Sequence, residues 1–227
     1  MLIIGDSIST DYYGNYSKWV THLIETGYFP EDTVNDSIHA TGFVRKAVDG
    51  NGGLMGENFV NRIQKIKNPE QYDLVVVFGG INDYRATITG RQDIPLGTID
   101  GDYTQEFIPA VNWFFDYATE HFVNAKIVVI QPLLCNVGNG VDKADKIREY
   151  SYALADIAEE YDIPVLNLTD NSGFNPFDTE FKNTWTLKVQ DGERLVADGI
   201  HPNEDYQKQH LAPMIRQFLD GFLDDMN

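Results

Sequence analysis

The chain has 227 residues, enough for one domain with a sizeable core. Seventeen lysines and arginines stand against 35 aspartates and glutamates, and the formal net charge of −18 disfavours nucleic acid and anionic lipid surfaces as partners. The single cysteine, Cys135, excludes an intrachain disulfide framework or a thiolate metal cluster, and no apolar run approaches the roughly 20 residues of a membrane helix.

Met1 leads directly into the first expected strand, 2–5, with no signal peptide in view. The expectation is one domain over 1–227, excised from a longer chain, with either a cytoplasmic or a secreted location open. Residues 16–27 place Trp19, Leu23 and Ile24 on one helical face, and Gly27 is a natural stop. A second helix is expected at 58–66, carrying Phe59, Ile63 and Ile66. The run "DLVVVFGG" at 73–80 is apolar throughout and ends in two glycines, the mark of a strand covered on both faces. A helix at 106–122 tolerates Pro109 only because it stands near the start. Then follow a buried strand at 125–132, a long amphipathic helix at 145–162 and a third buried strand at 163–168. Residues 84–102 and 169–197 read as long loops, the second containing one hairpin arm at 184–189 that closes through "DGE". A terminal helix is expected at 203–223.

Apolar strands alternating with amphipathic helices predict an α/β fold, a parallel sheet between two helical layers. Ligands of such sheets bind outside the carboxyl ends of the strands. Ser7 and Asn82 both follow expected strands, where that rule puts chemistry.

Four short blocks carry the chemical argument. In "GDS" at 5–7, Ser7 stands at a strand end, and a serine hydroxyl needs a base before it becomes a nucleophile. "DGIHPN" at 198–203 supplies one: Asp198 can accept the Nδ1–H of His201 and leave Nε2 facing Ser7. Pro202 and Asn203 suit the start of the following helix. "GGIND" at 79–83 aims Asn82 at the crevice, and "AVDGNGG" at 47–53 offers backbone N–H groups. The N–H of Ser7, the N–H of Gly50 and the Asn82 side chain would form a three-donor oxyanion hole. Gly52 or Gly53 could take the place of Gly50. Any one block alone is more often a turn or a cap; their combination is what a single reaction requires.

These blocks resemble those of the SGNH hydrolases of the GDSL esterase/lipase superfamily, in the same order across nearly the whole chain. The resemblance implies a three-layer flavodoxin-like fold with strand order 2-1-3-4-5. It also implies Ser7 as nucleophile, His201 as base, Asp198 as its orienter, and neither metal nor organic cofactor.

The reaction expected is hydrolysis of short-chain esters through an acyl-enzyme, with O-acetyl groups on a carbohydrate as the favoured substrate. A lysophospholipase or thioesterase, and a catalytically silent glycan-binding domain, are the alternatives. The loops expected to line the cleft carry Tyr84, Arg85, Arg91, Phe174, Phe177 and Trp185. Asp6, Tyr84 and Trp185 are the candidate substrate-binding residues. His22, His39, His121 and His210 lack a partner at metal-ligand spacing, so no zinc site is expected. A flavodoxin-like nucleotide site is disfavoured, because "GDSIST" is too short to cradle phosphate and places Asp6 where phosphate would sit.

Overall fold

The computed structural model describes residues 1–11, 16–46, 57–138, 140 and 142–223. Five parallel strands form the central sheet: β1 (Leu2–Gly5), β2 (Val34–Ser37), β3 (Leu74–Phe78), β4 (Lys126–Ile130) and β5 (Val165–Leu166). Their spatial order is β2-β1-β3-β4-β5, as the resemblance implied. In the register of β1 and β3, Gly5 stands opposite Phe78, so the segments after the two strands leave the sheet side by side.

The strands are apolar along their length because both faces are covered. Leu2, Ile4, Val75, Val77, Ile127 and Val129 point to one side. There they pack on α2 (Phe59–Ile63), α3 (Ile81–Ile88), α4 (Phe107–His121) and α5 (Ala144–Glu160). Ile3, Leu74, Val76, Phe78, Val128 and Ile130 point to the other, against α1 (Trp19–Glu25) and α9 (Ala212–Leu223). Two short helices, α6 (Leu168–Asn171) and α7 (Thr179–Trp185), follow β5. A two-stranded antiparallel hairpin comes next, β6 (Thr186–Asp191) with β7 (Arg194–Pro202), and it turns through the expected "DGE" segment. The single turn α8 (Glu204–Tyr206) is capped by Asn203, whose side chain accepts the Tyr206 N–H.

Four expectations need correction. Strand β2 was not anticipated; its sequence, "VNDS", is polar because it lies at the sheet edge and is only partly covered. Strand β5 is two residues long and half-buried, an edge strand rather than a covered one. The segment 84–102 does not begin as loop: α3 starts directly after Gly80 and buries Ile81, Tyr84 and Ala86. The terminal helix is not uniform. Residues Gln207–Leu211 form a π turn ahead of Pro213, which has no N–H to continue the regular ladder.

Candidate active site

Ser7 stands two residues beyond the end of β1, in a turn built by its neighbour. Asp6 accepts the Ile8 N–H through Oδ1 at 2.9 Å, and its carbonyl accepts from Ser9 and Thr10 at 3.1 and 3.2 Å. Gly5 precedes this turn for lack of space: a Cβ there would lie 2.7 Å from Ser37 Oγ and 2.9 Å from Ser9. The glycine thus serves a close approach between β1, β2 and the turn.

The three residues expected to act together meet. Ser7 Oγ lies 2.8 Å from His201 Nε2, and His201 Nδ1 lies 2.5 Å from Asp198 Oδ2. Asp198 and His201 are not in a loop; they belong to β7, which crosses the mouth of the parallel sheet. Asp198 Oδ1 accepts the backbone N–H groups of Ile200 and His201 at 2.9 and 3.0 Å, which fixes the carboxylate before it meets the imidazole. Gly199 adopts φ +69°, and a Cβ on it would stand 1.8 Å from the Asn136 carbonyl oxygen, so no side chain fits between Asp198 and Ile200. Ser7 and His201 are 6% and 7% exposed, which keeps bulk water from screening the relay.

Asn82 occupies the first turn of α3. Its Nδ2 donates to Thr41 O at 3.0 Å and to Asp6 Oδ2 at 3.2 Å, so the amide is held from two sides beside the nucleophile's turn. Asp83, fully buried, accepts the N–H groups of Phe43, Val44 and Arg45 at 2.8 to 2.9 Å. The dipeptide after β3 thus grips the segment that follows β2. Burial lifts Asp83 to about 6, against the pull of those three donors. The Gly50 expectation, with its alternatives Gly52 and Gly53, lies outside the described residues.

Two of the three expected substrate-binding residues are corrected. Asp6 is 1% exposed and is part of the wall that holds Ser7 and Asn82, not of a ligand surface. Burial raises it to about 7, partly offset by the Ile8 N–H and by Arg62. Tyr84 is also 1% exposed; its hydroxyl accepts the Lys143 N–H at 3.0 Å and its ring packs on Tyr150. Burial pushes that phenol up to about 12. Trp185 ends α7, is half-buried and packs edge-on against Tyr206 and His210 of the terminal helical segment.

Several contributors were not legible beforehand. Arg62 is buried under the turn and donates to the carbonyl oxygens of Gly5, at 2.9 Å, and Asp36, while pairing with the Asp36 carboxylate at 3.3 Å. It shares the apolar face of α2 with Phe59, and a cation on such a face was the available signal. Burial lowers it to about 10, against Asp36 and Asp6, so it stays charged at neutral pH. Lys18 is fully buried, with its ammonium 3.7 Å from the Tyr16 ring centroid. Burial lowers it to about 8, opposed by the charges of Asp11, Asp198 and Asp6. Tyr16 donates to Pro202 O at 2.5 Å, next to His201. Burial, then the charge of His201, holds His39 below its usual value.

A family model for GDSL-like lipases and acylhydrolases matches residues 3–208. The chain belongs to that family. This GDSL-like acylhydrolase is accordingly an ester-hydrolysing enzyme, and its parallel sheet is that of the SGNH hydrolases. No curated protein matches the sequence. Among solved structures, a protein from Lactobacillus plantarum is 22% identical, with a TM-score of 0.70, covering 99% of this chain and 95% of that one. The lipase/acylhydrolase from Enterococcus faecalis is 16% identical, TM-score 0.60, covering 97% and 95%. A catalytic mutant of Axe2, an acetylxylan esterase from Geobacillus stearothermophilus, is 16% identical, TM-score 0.60, covering 96% and 92%. At these identities the likeness is one of fold.

Proposed function

We propose that this acylhydrolase removes short acyl groups, acetyl foremost, from a carbohydrate through a covalent serine ester. The observation that carries the reading is the unbroken relay from Ser7 Oγ through the imidazole to Asp198. His201 Nε2 takes the Ser7 proton as Oγ attacks the ester carbonyl. Collapse of the tetrahedral intermediate expels the alcohol oxygen, which receives that proton from Nε2. Water, deprotonated by the same nitrogen, then attacks the acyl-serine and releases the acid and Ser7. Asp198 stabilises the imidazolium in both halves and never needs to be protonated itself.

In this reading the oxyanion is met by the Ser7 N–H and the Asn82 amide. The N–H groups of Ile8, Ser9 and Thr10 are all taken by Asp6. Both Nδ2 hydrogens of Asn82 have acceptors, so donation to the oxyanion exchanges the longer bond, to Asp6 Oδ2 at 3.2 Å, for the charge that develops on the substrate. Asn82→Ala is expected to lower kcat by about 10²–10³ with little change in KM, the signature of a donor used in the transition state. A variant whose KM rises while kcat holds would make Asn82 a substrate-positioning group instead.

The acetyl preference rests on where apolar space lies. The turn that carries Ser7 stands beside polar groups: Asp6 and Thr41, both bonded by the Asn82 amide. A cavity of about 410 Å³, lined by Phe122, Val123, Ile127 and Ile163 together with Lys126 and Asp162, opens at the amino ends of β4 and β5, the wrong end of the sheet for an acyl chain on Ser7. Each buried methylene would gain about 0.8 kcal/mol only if apolar surface received it. The specificity constant for 4-nitrophenyl esters should therefore fall, or stay flat, from acetate through laurate. A maximum at octanoate or beyond would replace this reading with a lipase or thioesterase. The acetylxylan esterase among the fold relatives is named for an acetylated sugar polymer, which supports including acetylated oligosaccharides in the panel.

A further inference from the structure

At the carboxyl ends of β4 and β5, two adjoining cavities of about 330 and 480 Å³ share Ala144 and Phe177 in their walls. Together they form a groove of ligand size. One wall is the first turn of α5 and the other is the segment 173–177. The far end is Asn136, whose N–H donates to Gly199 O at 2.7 Å. Gly199 lies between Asp198 and His201, so the groove runs up to the strand that carries the catalytic base.

Among the aromatic residues of the loops expected to line the cleft, Phe177 is the most exposed. Tyr84 and Phe174 are core, and Trp185 packs on Tyr206 and His210. Phe177 is 37% exposed, on the groove wall. Its backbone is fixed: the Phe177 N–H bonds to Asn175 Oδ1 at 3.3 Å, and Asp178 directly after it caps α7. The ring is therefore offered to solvent from a rigid turn.

Two carboxylates on the walls are neutralised by arginines. Asp142 is bound by Arg85 at 2.6 Å, and Asp170 by Arg148 at 2.9 Å. Lys143, exposed on the same wall, is a further cation. Beside these charges stands an exposed aromatic face flanked by the amides of Asn136 and Asn175, whose oxygens accept the N–H groups of Gly138 and Phe177 and whose NH₂ groups keep hydrogens to donate. A neutral sugar matches both features: its C–H face packs on the ring and its hydroxyls meet the amides.

We infer that this groove is a subsite for the carbohydrate half of the ester, with Phe177 as its stacking platform. The inference rests on the carbohydrate-ester reading above, and two measurements keep their failures apart. The first compares acetylated xylotetraose with 4-nitrophenyl acetate in wild type, Phe177→Ala and Phe177→Trp. The ratio of their specificity constants should fall about tenfold in the alanine variant and recover in the tryptophan variant. An unchanged ratio, with melting temperature preserved, overturns the subsite. The second titrates unacetylated xylotetraose, cellotetraose and chitotetraose into the full-length Ser7→Ala protein by calorimetry, which needs no turnover. Binding by at least one, weakened about tenfold when Phe177→Ala is added, supports the subsite even if no acetylated sugar is hydrolysed. Absence of binding by all three, or binding indifferent to Phe177, overturns it.

Discussion

Ser7→Ala is expected to abolish ester hydrolysis, with kcat falling about 10⁶-fold, the scale on which a serine nucleophile's loss is felt when its base remains in place. The serine hydroxyl has a defined partner in His201 Nε2, at 2.8 Å. Removing it takes away one hydrogen bond, worth about 1 kcal/mol of net stability, and leaves the Cβ in its turn. The turn does not depend on that hydroxyl, because Asp6 holds Ile8, Ser9 and Thr10. Asp198 still anchors the imidazole. The variant should therefore melt within a few degrees of wild type and lose its acyl-enzyme. Rapid mixing with 4-nitrophenyl acetate should show a stoichiometric burst of nitrophenolate in wild type and none in the variant. Mass spectrometry of the quenched wild type should find one acetyl group on the peptide containing Ser7. A pure variant that retains the burst, or an acetyl group found elsewhere, would remove Ser7 from the mechanism.

Much of the site was readable because its chemistry is carried by short blocks of restricted residue type. "GDS", "GIND" and "DGIHP" fall at the ends of strands, and the register of β1 with β3 brings the first two side by side. The strands themselves were plain wherever both faces are covered. Periodicity failed where burial is partial: "VNDS" of β2 and the two residues of β5 carry no apolar run to find. It failed differently at α3, where Asn82 and Asp83 resemble a turn. They start a helix because Ile81 and Tyr84 beside them are drawn into the core.

The supporting residues were hidden for a further reason. Arg62, Lys18 and Asp83 act through contacts 26 to 57 positions away or through burial, and no local pattern announces either. Tyr84 shows the reverse error. Its place next to the Gly-x-Asn-Asp block suggested the cleft, yet one helical turn past the strand end its side chain faces inward. Sequence proximity to a catalytic block says little about direction, since neighbouring helical positions point about 100° apart.

Asp198→Asn should be severely damaging although it preserves shape, and the structure says why an isosteric amide fails. The carboxylate serves two kinds of donor. Oδ1 accepts the N–H groups of Ile200 and His201, while Oδ2 accepts from His201 Nδ1 at 2.5 Å. An asparagine in the same place must turn its oxygen toward the two backbone N–H groups, since its NH₂ would meet them donor to donor. The NH₂ then faces Nδ1. To accept that bond, the imidazole must shift its proton to Nε2, the nitrogen that has to receive the Ser7 proton. The base is thereby blocked with its position unchanged, and kcat should fall about 10⁴-fold. KM should move little, because Asp198 is reserved for the imidazole and its own backbone. Nitrogen NMR of the labelled imidazole can read the tautomer directly: Nδ1–H in the wild type, Nε2–H in the variant. If Asp198→Asn keeps activity within about tenfold of wild type, or keeps the Nδ1–H tautomer, orientation of the base must come from another group.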